Sequence, residues 1–560
     1  MRILLLASAF NSLTQRVFTE LTDRRHRVAV ELAVDGFADA VRAHDPQLVI
    51  APMLTRAIPR EVWSAYPCLV VHPGPPGDRG PSALDRALLD GVTEWGVTVL
   101  QAEAELDGGP VWASASFPVP PGVGKSALYR GELADAASGA VLEAVERFAS
   151  GTYVPRRAGA GRWRPVVRQE ERRIDWAADS TEVVLRKLRA AHSQPGVLDG
   201  DWYLHGGCRE DRLRGRPGQV LATRHGAVCR ATADGAVWIP EVRPRRRPGG
   251  PRTFRRAAAE QVGAGAPEVP ASLWSPARRE TYRDIWYAEE GSAGFLRWSF
   301  PGGAMSAEQC RRLLQAYRFA CTRPTDVLVL GGTRDFFCNG IHLGAIEAAA
   351  DPAAESWATI RAMDDLVEAV LTTGDRLVVA ALAGNAAAGG VMLALAADEV
   401  WCREGVVLNP HYRLMGLYGS EFWTYVLPRR VGEAAARELT ERALPVSAAA
   451  AHRAGLVDRL VPVPPGGFGA EVTRLAVRLT ASAQLPGRIA AKKAARERDE
   501  AHRPLGAYRE AELARMRQTF FDAGAPYHTL RAAFVRKARP ARTPEHLAGY
   551  TEPTPRVSDL

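Results

Sequence analysis

Two short stretches hold side chains whose types and spacing could do chemistry. In CLVVHPGPPGDRGPSALD (residues 68–85) a strand-like run ends on His72 and gives way to Pro and Gly. A residue before proline is held in extended geometry, so Pro73 fixes the backbone beneath the imidazole. That places a proton-handling ring at the carboxyl end of a strand, where open α/β sheets bind ligands. A second run, VTVLQAEAELD, closes on Asp107 just before Gly108-Gly109-Pro110. A carboxylate beside the ring would orient it and fix its tautomer. The same residues also read as a buried hydrogen-bonded histidine and a turn aspartate, and spacing does not choose between the two. In LNPHYRLMGLYGSEFWTY (residues 408–425), Tyr412, Tyr418, Ser420 and Glu421 gather proton-handling groups among aromatics. A carboxyl in such surroundings has its proton affinity raised and suits acid or base work. A structural aromatic patch with a surface glutamate is the alternative.

These residues need elements to hold them. RILLLAS, SLTQRVFTELTDR, HRVAVELAV, FADAVRAH and LVIAPM alternate strand and helix patterns, which predicts a parallel sheet with crossover helices. Ser82-Ala83-Leu84-Asp85 has the pattern of a capping box for a helix through Leu88, whose positive end would face the crevice of His72. From about residue 165 a strand-like piece and an amphipathic helix lead into short strands with Gly turns, as in a small β-barrel. Residues 243–270, rich in Arg, Pro, Gly and Ala, read as a linker of loop or disordered character. From about residue 284, FLRWSF, DVLVLGG and RLVVAALAG read as strands of a second α/β unit. GGVMLALAADEVW follows as a helix starting on glycines, and Ala/Arg-rich helix runs from about residue 470.

A chain of 560 residues is too long for one core, so about three domains are expected. Hydrophobic residues at 46% and charged residues at 24% place it among soluble globular proteins and exclude collagen-like and disordered classes. The net charge of +9 suits an anionic ligand or nucleic acid and says nothing about fold. Seven widely spaced cysteines, without a C-x-x-C pair, argue against a disulfide frame or zinc site and for a reducing cytoplasm. No apolar run reaches the ~18–20 residues that span a bilayer, and MRILLLASAF is read as a strand rather than a signal peptide.

The run HPGPPGDRGPSALDRALLDGVTEWGVTVLQAEAELDGGPVWAS resembles folate-dependent formyltransferases and 10-formyltetrahydrofolate hydrolases, which carry an Asn-x-His near the formyl group and an Asp in Leu-Asp-x-Gly. His72 and Asp107 fall on that pattern. Val70 stands where the asparagine is expected, so another group must polarise the formyl carbonyl. IDWAADSTEVVLRKLRAAHSQPG looks like the start of the small barrel that follows such domains, and Asn11, Met53 and Thr55 lie in loops suited to the folate. RDFFCNGIHLGAIE and ALAGNAAAGGVMLALAADEVW resemble the crotonase (enoyl-CoA hydratase/isomerase) superfamily. The match implies that the N–H groups of Ile341 and Gly389 form an oxyanion hole for a CoA thioester. Two such donors stabilise charge on the thioester oxygen, and glycine lets the ligand approach closely. Hydratases use two glutamates where this chain has Met392 and Tyr412. Methionine transfers no proton, so ordinary hydration is not expected.

The order of the two halves, with HPGPPGDRGPS in one and NPHYRLMGLYGSE in the other, resembles the hydrogenase maturation factor HypX (HoxX) family over nearly the whole chain. The resemblance implies an α/β multidomain fold. A Rossmann-like formyltransferase domain would span 1–160 and an OB-like barrel 161–245, with a linker at 246–283 and a crotonase-fold β-β-α domain with C-terminal helices at 284–560. It further implies two substrates, 10-formyltetrahydrofolate and coenzyme A, and no metal. Formyl would pass to CoA, and formyl-CoA would then be split into CO and CoA for a nickel–iron hydrogenase. In that scheme His72 and Asp107 manage protons as the folate nitrogen leaves. Glu421 takes or relays the formyl proton, and Tyr412 or Tyr418 donates to the departing thiolate or steadies the carbonyl. Lys125, Arg130, Arg488, Lys492 and Lys493 are the cations considered for the CoA phosphates. Transient contact with hydrogenase assembly proteins is expected, and neither nucleic acid nor membrane is. A formate-releasing hydrolase of formyl-CoA or 10-formyltetrahydrofolate is one rival. A non-catalytic RNA-binding or ligand-handing scaffold is another, although no RRM, KH or zinc-knuckle signature occurs.

Overall fold

The buried Val/Leu runs at the start of the chain become a sheet in the computed structural model, which describes residues 1–33, 36–159, 161–274 and 279–551. Strand β1 (Arg2–Ala7), helix α1 (Ser12–Asp23), strand β2 (Arg27–Leu32), helix α2 (Phe37–His44), and strands β3 (Leu48–Ala51) and β4 (Cys68–His72) follow the expected alternation. The sheet order is β2-β1-β3-β4, then Glu94–Gln101 and Val111–Pro118. The first four strands are parallel and almost wholly buried, which explains their continuous rather than alternating hydrophobicity. Glu94–Gln101 pairs antiparallel to β4, with His72 opposite Thr98.

Contacts divide the chain into two compact units: Met1–Asp175 with Glu182–Gly200 and Arg539–Leu560, and Trp176–Thr181 with Asp201–Ala538. This corrects the expectation that all of 284–560 belongs to the second half. Thr543 Oγ1 accepts from Leu32 N–H (2.9 Å) and donates to Glu31 (2.6 Å), and Thr551 N–H donates to the Val28 carbonyl (3.0 Å). β2 is an edge strand with exposed ladder groups, and the returning tail covers it. The 246–283 stretch is also more ordered than a linker, apart from residues 275–278, which lie outside the described set. Arg256–Ala257 pairs with Glu241–Pro244, and Ala258–Val262 is helical. The composition misled because the local polar groups find partners: Arg255 pairs with Glu241 (2.7 Å), Thr253 Oγ1 donates to the Pro244 carbonyl (2.7 Å), and Arg243 at the edge of the stretch lies over Tyr203 at 4.1 Å.

The expected small barrel is built from two sheets. One has the order Cys208–Glu210, Ala236–Ile239, Ala227–Ala231, Val220–Arg224, and the other contains Trp202–His205, Glu241–Pro244 and Arg256–Ala257. The strand-like piece expected before it, residues 172–176, forms no strand and leaves the short helix Gln169–Arg172 as irregular chain. The rest of the second unit centres on a six-stranded sheet. An antiparallel hairpin (Ile285–Glu290, Ala293–Trp298) continues through parallel strands Val327–Gly331, Leu377–Leu382, Glu399–Arg403 and Arg459–Val461. Helix Gly389–Leu395 starts on the glycines as expected, and helices from Phe468 to Val535 follow the sheet.

Candidate active sites

β4 delivers His72 to the carboxyl edge of the first sheet, where it is 3% exposed. Its Nε2 lies 3.0 Å from Asp78 Oδ2, and its Nδ1 lies 3.5 Å from Asp107 Oδ2. The ring is therefore held between two carboxylates. Asp78 is brought there by a tight turn in which its N–H donates to the Pro75 carbonyl (2.9 Å), and it is also ion-paired to Arg164 at 3.0 Å. Sequence reading missed Asp78, although it stands six residues from His72, because the path of a Pro/Gly loop is not set by spacing. Trp95 Nε1 donates to the Pro73 carbonyl (2.9 Å) and Thr98 Oγ1 to the Gly74 carbonyl (2.8 Å), locking the strand exit. A Cβ at Gly74 would lie 2.5 Å from both His72 Nε2 and Asp78 Oδ2, so only glycine fits. The strand expected to reach Asp107 ends at Gln101, and Asp107 sits at φ 53° in the following turn, accepting from Gly80 N–H (3.0 Å). An imidazole contacted through both nitrogens can take a proton on one side while its orientation is kept from the other.

The capping box expected at Ser82 does not form. Ser82 Oγ accepts from Val167 N–H (3.1 Å), and Asp85 binds Arg172 (2.6 Å) and Lys125 (3.0 Å). Buried charges outcompete the cap for Asp85. Of the folate candidates, Asn11 spends its side chain on capping α1 (Thr14 N–H, 3.0 Å) and on the Tyr129 hydroxyl (2.9 Å). Met53 and Thr55 follow β3, tied to the loop after β1 by Ser8 N–H to the Met53 carbonyl (2.9 Å) and Thr55 N–H to Ser8 Oγ (2.8 Å).

In the second unit, Gly340 packs against Gly389: a Cβ on Gly340 would lie 3.5 Å from Gly389 N. Ile341 bridges to Met305, whose N–H donates to the Gly340 carbonyl (2.9 Å). Ala388, at φ 49° and ψ −128°, turns the chain into Gly389. Non-glycine residues in such regions concentrate at functional sites. Glu421 is 1% exposed and lies directly on this glycine, since a Cβ at Gly389 would be 2.2 Å from its Oε1. Tyr412 donates to Glu421 Oε2 (2.8 Å), and Ser420 N–H reaches the same oxygen at 3.2 Å. Burial, then the neighbouring Asp364, pushes the Glu421 carboxyl up to about 8 despite the Tyr412 bond; burial likewise pushes Tyr412 well above the usual phenol range. Of the four residues singled out here, three converge. The Ser420 hydroxyl binds Asp364, whereas Tyr418 stacks on Trp423 (5.3 Å) beneath Arg515 (4.2 Å). Asp364 and Glu512, both buried and both flanking Glu421, went unnoticed. Each stands more than fifty residues away in sequence, in an ordinary helical pattern. Met392, expected to stand in place of a hydratase glutamate, is fully buried.

Three of the cations considered for phosphate binding are paired with other groups in this structure. Lys125 binds Asp85 and the Gln194 carbonyl (2.5 Å), Lys492 binds Asp398 (2.6 Å) and the Arg376 carbonyl (2.8 Å), and Arg488 pairs with Glu399. Arg130 lies in the π-helical turn Tyr129–Leu133, and exposed Lys493 borders a groove of about 540 Å³ that also includes Asp326 and Ile489. Among the described residues, no cluster of three His, Cys, Asp or Glu could hold a metal, and no helix is long and apolar enough to cross a membrane.

Family models match in the same order: formyl transferase over residues 7–145, formyl transferase C-terminal domain over 167–255, and enoyl-CoA hydratase/isomerase over 301–539. Methionyl-tRNA formyltransferase of Thermus thermophilus is 31% identical over 38% of this chain and 71% of its own. The crystal structure of HypX from Aquifex aeolicus in complex with tetrahydrofolic acid is 44% identical, covers 98% of both chains and superposes with a TM-score of 0.94. Hydrogenase maturation factor HoxX of Bradyrhizobium diazoefficiens is 47% identical over 98% of this chain and 97% of its own. With formyltransferase and crotonase-like parts in that order and identity of this level end to end, the chain belongs to the HypX/HoxX family of hydrogenase maturation factors.

Proposed function

We propose that this chain makes carbon monoxide in two steps joined by coenzyme A. In the first, the CoA sulfur attacks the formyl carbon of 10-formyltetrahydrofolate, the carbon–N10 bond breaks, and N10 takes a proton. His72, flanked by Asp78 and Asp107, handles that proton. The tetrahydrofolate bound to the Aquifex aeolicus relative supports a folate substrate. In the second step the formyl C–H proton passes to Glu421, the C–S bond breaks, and CO departs as the thiolate of CoA is protonated. The N–H groups of Ile341 and Gly389 hold the formyl oxygen. Tyr412, rather than Tyr418, steadies Glu421 through the 2.8 Å bond.

The observation that carries this reading is a buried carboxyl, Glu421, lying on Gly389, the glycine assigned here to the oxyanion hole. A base there can reach the thioester, and its desolvated surroundings match its proton affinity to neutral pH. The test incubates the protein with 10-formyltetrahydrofolate and CoA and follows CO with a haem protein and formate in parallel. The expected result is CO that depends on CoA, with Glu421→Gln lowering its rate at least ~100-fold. Formate as the sole product, or a full rate in Glu421→Gln, would reject the scheme.

A further inference from the structure

Asp364 has no part in the scheme above, yet it lies fully buried on helix Pro352–Thr372 at the centre of the network behind Glu421. Ser420 Oγ donates to both its oxygens (2.9 and 2.8 Å), and Glu421 N–H donates to Oδ1 (2.8 Å). On the far side of the same turn, Glu512 of helix Leu505–Phe521 accepts from Phe422 N–H (2.9 Å), Thr424 N–H (2.8 Å) and Thr424 Oγ1 (2.5 Å). Between these clamps Glu421 and Phe422 both stand at φ 59°. Two consecutive side-chain-bearing residues in the left-handed region do not persist without partners that enforce it.

We infer that Asp364 is the positioning residue of the second site, holding the Ser420–Glu421 backbone so that the Glu421 carboxyl rests on Gly389, with Glu512 anchoring the other end of the turn. The inference rests on the reading of Glu421 as the base. It adds a residue that acts through Glu421 rather than on the substrate. Asp364 also sets the charge behind the base. Arg509 is the cation facing it, with Nε at 3.9 Å, and this guanidinium is shared with Asp365 and Glu368. Glu512, Tyr412 and the Cys310 thiol are the other titratable groups around it. Burial raises both Asp364 and Glu421, and negative charge on Asp364 opposes loss of the Glu421 proton.

The experiment measures CO release from formyl-CoA against pH for the full-length protein and for Asp364→Asn, with CoA-dependent consumption of 10-formyltetrahydrofolate by the same preparations as the folding control. Asp364→Asn removes the opposing charge. The rising limb of kcat should therefore move to lower pH by half a unit or more, its plateau should fall at least threefold, and KM should stay within twofold. Ser420→Ala keeps Asp364 but frees it, and should move the limb in the same direction by less. It also decides the matter if Asp364→Asn does not fold. If both variants, or Ser420→Ala alone where Asp364→Asn fails to fold, superimpose on the parent profile at full rate, the positioning role is overturned. Glu421→Gln separates the two claims: a full rate there rejects the base itself, whereas an inactive Glu421→Gln beside unchanged Asp364 and Ser420 variants rejects only this inference.

Discussion

At the scale of single residues, both sites depend on a glycine that a carboxyl has already claimed. Gly74 admits the His72–Asp78 contact, and Gly389 admits Glu421. The close approach at Gly389 is 2.2 Å to a side chain that has little room to retreat, being buried and held by Tyr412 and Ser420. Gly389→Ala should therefore displace Glu421, the proposed base, and crowd the proposed oxyanion hole together. The expected outcome is a loss of CO formation of at least ~100-fold, in line with losing an acid–base group or an oxyanion donor. Formyl transfer to CoA should persist, and trapping formyl-CoA while CO is followed checks both. His72, Asp107, Gly389 and Glu421 were legible because motif and residue type point to them directly. Asp78 was not, since a carboxylate in a Pro/Gly loop gives no sign of which way the loop folds.

At the scale of elements, the chain closes an open edge with its own tail. β2 ends the first sheet, and Thr543 and Thr551 supply hydrogen bonds to its exposed backbone, while Tyr550 packs on His44 (5.7 Å) and donates to its carbonyl (3.1 Å). Removing Thr543 leaves Leu32 N–H and Glu31 without these partners in a buried setting. Buried groups left unsatisfied cost about 1–3 kcal/mol each. Thr543→Val should thus lower the melting temperature of the first unit by several degrees in calorimetry while leaving CO release from supplied formyl-CoA near the parent rate. No local pattern announces this contact, which joins segments more than five hundred residues apart in sequence. The ordering of 246–274 was hidden for a related reason: an arginine that is paired, as Arg255 is with Glu241, looks in composition like one of a solvated linker.

At the scale of the whole molecule, the second unit buries three carboxyls together. Burial, foremost, raises Asp364 to about 7 and Glu421 and Glu512 to about 8. Their unfolded counterparts ionise near pH 4. Between those limits the folded protein holds protons that the unfolded chain has released, so these groups destabilise the fold as pH rises from about 4.5 to about 8, and the loss levels off above. Glu421→Gln removes one such group. Its melting temperature relative to the parent should climb between pH 5 and pH 9, by a stability difference on the order of a few kcal/mol. A constant offset across that range would show that the carboxyl is not held protonated. Stability is thus given up where the proposed chemistry calls for a base of high proton affinity.

The sequence by itself determined the two-part organisation, the parallel sheets, the glycine-led helix and the identity of the motif residues, because hydrophobic periodicity, proline geometry and short motifs are local properties. Only the tertiary structure decided which carboxylates meet His72, which tyrosine meets Glu421, where Asp364 and Glu512 lie, and which lysines and arginines are already paired. Those outcomes depend on chain segments far apart in sequence and on burial, which sets the proton affinities and charge partnerships that no spacing rule contains.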